Sequence, residues 1–206
     1  EVINFFNAYL STLPAHRRHV LNRYAIVDIA HKVVGVGSVG TRCVIVLLES
    51  GDGHPLFLQF KEALPSVLEP YCGASECDQH GQRVVQGTRA MQTMGDIFLG
   101  WAQLHGSSGS TDFYFRQLWD GKGSFESEEM EPAGLASYAR SCGSALALGH
   151  ARTGDASVIA GYLGTTDTFD QALTDFADGY ADINEADHGQ HAAAIRSGRI
   201  DAVSDI

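Results

Sequence analysis

The chain has 206 residues, 44% of them hydrophobic, enough to bury a core in one domain or two small subdomains. Twenty-five acidic side chains against fourteen basic ones give a net charge of -11, which would repel a phosphate backbone over most of the surface and argues against a nucleic-acid partner. The longest apolar run, Cys43 to Leu48, is far too short to cross a bilayer, and the four cysteines form no C-x-x-C pair, so the expectation is a soluble cytoplasmic protein with reduced thiols and no membrane partner.

Phe5, Phe6, Tyr9, Leu10 and Leu13 recur at helical spacing up to Pro14, which cannot continue a helix. The run starts in mid-period at Glu1, as a fragment or a processed product would. With the polar "HRRHVLNRY" after it, residues 1–23 read as a helical connector. Between Tyr24 and Glu62, "YAIVDIAHKVV", "TRCVIVLLES" and "PLFLQFKEA" are rich in β-branched and aromatic residues, and the reading is an antiparallel meander. Its second turn falls on Gly51-Asp52-Gly53. Val84, Thr88, Met91 and Gly95 place a helix over about 76–95, and two further strands, "DIFLGWAQL" and "TDFYFRQLWD", flank a flexible "HGSSGS".

Residues 24–120 therefore form an α+β unit, a five-stranded antiparallel sheet with one helix. A soft boundary near Gly121 to Gly123 leads into a helical region over 121–206, with one helix striped by Leu135, Tyr138, Cys142 and Leu146. Another carries Phe169, Leu173, Phe176, Tyr180 and Ile183, opened by a capping box from Thr168 to Gln171.

The chemistry centres on Gly35, Gly37 and Gly40 in "KVVGVGSVGTRC", spaced G-x-G-x-x-G. A dinucleotide-binding loop must open a helix, whose N-terminal amides hold the pyrophosphate. Here the loop opens a strand. Strand, glycine loop, strand, then a lysine on the next strand is the order in which a protein-kinase-like small lobe covers nucleotide phosphates. Alternation along "PLFLQFKEA" puts Phe57, Gln59 and Lys61 on one face, with Lys61 beneath the loop. Gly35, Gly37, Ser38, Gly40 and Lys61 are the expected contacts for ATP and magnesium, and Glu69 or Glu76 could pair with the ammonium. The competing reading makes the glycines a bulged hairpin and Lys61 a solvated strand end.

A catalytic base is harder to place. Asp155, in "HARTGDASVIAGYLG", is the candidate after a long helix, yet no Asn follows it closely and a polar helix-terminating turn explains the same letters. Asp175, Asp178, Asp182 and Glu185 read as a solvated helix face, and Asp187, His188 and His191 as surface, so no metal or disulfide site is expected. No G-x-S-x-G occurs to support acyl transfer.

Several stretches together, among them "KVVGVGSVGTRC", "PLFLQFKEALPSVLE", "HGQRVVQGTRAMQ", "DFYFRQLWDGKGS", "CGSALALGHARTGD" and "YADINEADHGQHAAAIRSGRI", resemble the bacterial domain of unknown function 2252 family from about Val33 to Ile200. The resemblance implies a distant kinase likeness, with Gly35, Gly37, Gly40 and Lys61 contacting nucleotide. It also implies longer relatives whose acidic "G-D-x-H-x-x-N-F" and "D-F-D" segments precede the glycine loop, and no such segment precedes Lys32. The chain would then be the nucleotide-covering part of an ATP-dependent phosphotransferase without its catalytic half. The alternative is a non-catalytic kinase-like binding or regulatory module.

Overall fold

A computed structural model describes residues 2–32, 35, 39–107, 109–118, 123 and 125–202. In chain order these form α1 (Val2–Ser11), α2 (Ala15–Leu21), β1 (Tyr24–His31), β2 (Cys43–Ser50), β3 (Pro55–Glu62), the single turn α3 (Glu69–Cys72) and α4 (His80–Met91). There follow β4 (Gly100–Gly106), β5 (Gly109–Gln117), a 3-10 turn at Ser127–Glu129, α5 (Pro132–Thr153), α6 (Ala156–Leu163) and α7 (Thr168–Arg196). The strands make one antiparallel five-stranded sheet in the order β1-β2-β3-β5-β4.

The expected meander is present. After Gly40 the chain enters β2, a strand, as the Val, Ile and Leu content of that run requires. The second turn closes through hydrogen bonds from the Ser50 amide to His54 O (3.0 Å) and from the Gly53 amide to Ser50 O (2.9 Å). Gly53 has a φ of 81°, a value glycine adopts without a Cβ penalty. β4 and β5 meet more tightly than "HGSSGS" suggested: His105 pairs with Ser110 and Gly106 with Gly109, so the ladder runs almost to the turn. β4 begins at Gly100 rather than Asp96, because the Asp96 carboxylate accepts from the amides of Phe98 and Gln117 and ties residues 96–99 into a turn.

Side-chain alternation gives the sheet two unlike faces. On one, Val46, Leu48, Leu58, Phe113, Phe115 and Ala102 are buried under Phe5, Tyr9, Leu13 and Leu21. Tyr9 stacks on Phe115 at 4.0 Å between centroids, and Phe5 meets Phe113 edge-on at 5.5 Å. Residues 1–23 are therefore not a connector. α1 ends at Ser11 and Pro14 stands at the N-cap of α2, and the two short helices lay one apolar side onto the sheet despite the cationic "HRRH" within α2.

α4 packs on the opposite face against β4 and β5. It is shorter at both ends than the expected 76–95, since Gln79 caps it by accepting from the Gln82 amide. The approach is close enough that a Cβ on Gly81 would collide with the carbonyl of Phe113.

The chain divides into two compact units, residues 1–154 and 155–206. The boundary expected near Gly121 to Gly123 falls on residues 121 and 122, outside the described ones, and the helical region is split instead at Gly154. α5 belongs to the first unit and touches α4. In the second, α6 was not anticipated; Asp155 starts it by accepting from the amides of Ser157 (2.9 Å) and Val158 (3.0 Å). The capping box on α7 does not form. The helix cap is Asp167, so Thr168 is already helical, and the Gln171 side chain donates forward to Asp175 at 2.9 Å rather than accepting from a cap amide. No helix of the described chain is long and apolar enough to cross a membrane.

Candidate functional site

The loop between β1 and β2 leaves the sheet after the Lys32 amide donates to Cys43 O (2.9 Å) and rejoins it at Arg42. Gly35 is exposed, with open space where a Cβ would stand, and Gly40 has a φ of 80°. Gly37 and Ser38 lie outside the described residues. A side chain at position 40 would be strained at that φ, so at least this glycine is demanded by backbone geometry.

Lys61 sits directly across from Cys43 on β2 and from Tyr114 on β5. Because paired residues share a face, Cys43, Gln59, Lys61, Asp112, Tyr114 and Arg116 all project toward the α4 side. A chain of hydrogen bonds crosses three strands there. Arg116 Nε donates to Gln59 Oε1 (3.1 Å), and Gln59 Nε2 donates to Cys43 Sγ (3.1 Å). Gln59 is 2% exposed, so its amide is fixed by those two partners. Burial raises the Tyr114 hydroxyl pKa above its ordinary value, partly opposed by the Arg116 guanidinium.

Neither expected carboxylate pairs with Lys61. Glu69 opens α3 and accepts from the Ser66 amide at 3.3 Å, while Glu76 is exposed in the connector before α4. α4 itself contains no Asp or Glu. Among the described residues Lys61 has no ion pair and no side-chain hydrogen bond. A carboxylate on this face, on the strand beside Lys61, is Asp112. It accepts from the His80 amide (2.8 Å) and from Gln103 Nε2 (2.8 Å), and so anchors the first turn of α4 to β5 and β4.

Sequence reading placed Gln59 on the face of Lys61 but missed Asp112 and Arg116 as neighbours there. The signal was present in "TDFYFRQ", where Asp112, Tyr114 and Arg116 alternate strictly with Phe113 and Phe115. What local sequence could not supply was the register that sets β5 beside β3. Asp155 belongs to the second unit, where its carboxylate serves as a helix cap. Among the described residues no cluster of three or more His, Cys, Asp or Glu could hold a metal ion.

A protein-family model matches residues 1–194, nearly the whole chain. The chain belongs to DUF2252. That family is described as an uncharacterized protein conserved in bacteria. The DUF2252 match includes α1 and α2 and so begins well before the Val33 start of the sequence resemblance, in keeping with the burial of Tyr9, Leu13 and Leu21 against the sheet. No curated protein and no solved structure matches the chain.

Proposed function

We propose that this chain is the nucleotide-covering part of a kinase-like, ATP-dependent phosphotransferase, with the glycine loop and Lys61 meeting the phosphates of magnesium-bound ATP. One observation carries the reading: the register of β3 on β2 sets an unpartnered Lys61 opposite Cys43, three residues beyond Gly40. Loop amides can donate to phosphate oxygens but cannot neutralise several negative charges, and an ammonium at the foot of the loop does that. Arg116, on the neighbouring strand and the same face, adds a second positive charge.

A non-catalytic kinase-like binding module is the second reading, and two facts favour it. α4 offers no carboxylate to hold Lys61, and the carboxylate of Asp155 is engaged by two amides of its own helix. Calorimetric titration with magnesium-ATP tests the proposal. Lys61→Ala should weaken binding by about 1.5 to 3 kcal/mol, the scale of a charge-assisted hydrogen bond, with thermal stability little changed. Arg140→Ala, on the exposed part of α5, should leave affinity as it was. Absence of magnesium-ATP binding by the parent chain would remove the nucleotide reading and leave the glycines as a strand turn.

A further inference from the structure

The face of the sheet opposite Lys61 holds a cavity of about 300 Å³ between α1 and the strands β1 and β2. α1 lies over β4 and the central strands and leaves the β1 side uncovered. The walls are apolar: Phe5, Phe6, Val46 and Phe60 among them, with Ile29 from the sheet edge. A β-bulge decides this. In a regular strand Ile26 and Ile29, three residues apart, would point to opposite faces, but the register shift between Ile26 and Asp28 brings Ile26 beside Leu48 and Ile29 beside Val46, both on the cavity side.

Among the described residues two polar side chains reach the cavity, His31 and Arg42. Arg42, its side chain 55% exposed, is oriented by Glu62 and Thr111. Its backbone amide (3.0 Å) and Nε (3.3 Å) donate to Glu62 Oε2, and one Nη2 donates to Thr111 Oγ1 (3.2 Å), which leaves Nη1 without a partner among the described residues. An apolar chamber with one guanidinium edge at its rim matches a ligand with an apolar tail and a single carboxylate head.

We propose that this cavity binds a small amphipathic monocarboxylate, its tail between α1 and the sheet and its head on Arg42. At roughly 30 Å³ for each small molecular centre, the volume suits about ten non-hydrogen atoms, the size of octanoate. The site lies on the other side of the sheet from Lys61 and does not depend on the nucleotide reading.

Methyl-detected NMR titration of the full chain with sodium octanoate, and separately with 1-octanol, tests the proposal. Octanoate should shift the methyl signals of Ile26, Ile29 and Val46, with octanol about tenfold weaker for want of the charge. Arg42→Gln should reduce octanoate to the affinity of octanol while octanol keeps its own, and Ile29→Trp, which fills the chamber from the exposed edge strand, should abolish both. The proposal is overturned if millimolar octanoate moves none of these methyls, if octanol binds as tightly as octanoate, or if the shifts fall on Ile45 and Leu47 of the opposite face.

Discussion

Tyr9 is fully buried, and its hydroxyl donates to Phe98 O at 2.7 Å while its ring stacks on Phe115. Burial, and secondarily the Asp96 carboxylate, push its pKa far above the usual tyrosine value, so the neutral form is the one the fold requires. A group whose folded pKa is raised contributes stability that is complete below its unfolded pKa, about 10, and is lost as pH rises beyond it. Thermal unfolding followed by circular dichroism should therefore show stability falling steeply above about pH 10. Tyr9→Phe keeps the ring but leaves the Phe98 carbonyl buried without its donor, a loss of about 1 to 2 kcal/mol at neutral pH. The same variant should have a shallower alkaline decline, though not a flat one, because Tyr114 is shifted in the same direction. An unchanged alkaline limb would mean that Tyr9 is not the titrating group.

At the scale of elements, α4 is positioned by the near-contact of Gly81 with the backbone of β5 and by the Asp112 carboxylate at its first turn. Gly81→Ala should push the helix off the sheet at about 1 to 3 kcal/mol, as overpacking does. Gly87→Ala on the same helix has open space at its Cβ and should instead stabilise by about 0.5 to 1 kcal/mol. Urea unfolding of the two variants separates helix propensity from packing, and equal effects would show that the Gly81 contact does not matter. Such contacts also mark the limit of what is legible in the sequence. Alternation along "TRCVIVLLES" and "PLFLQFKEA", with Gly53 in the turn between them, is local information, and it located β2, β3, the glycine loop and the face of Lys61. The role of Asp112 on that face was not legible, since it arrives through the pairing of β5 with β3, whereas of the two acids expected from the segment after β3, Glu69 accepts from the Ser66 amide and Glu76 is exposed. The docking of α2 through Leu21 was obscured by the polar "HRRH" beside it, and α6 by its brevity.

The two compact units of the whole molecule differ in how their elements are held. In residues 1–154 the central strands are locked on both sides by ladder hydrogen bonds and bury Leu48, Leu58, Phe113 and Phe115 almost completely. In residues 155–206, α7 is 29 residues long and Ala194 is the one residue of the helix that is buried, while Leu173, Phe176, Tyr180 and Ile183 all remain more than half exposed. Helices owe most of their stability to packing of an apolar face, so α7 should open far more readily than β3 or β5. Its charges add to this: Asp175 and Asp178, Asp178 and Asp182, and Asp182 and Glu185 are like-charged neighbours three or four residues apart, each pair unfavourable by about 0.2 to 0.5 kcal/mol. Salt screens exposed pairs and leaves buried ladders nearly untouched. Amide hydrogen exchange should accordingly be fast across residues 168–190 and slow in β2, β3 and β5. Raising sodium chloride from about 0.05 M to 0.5 M should slow the helix by several-fold with no change in the strands. Protection in α7 equal to that of β3 would show the two units unfolding as one and would remove the separate helical unit from this account.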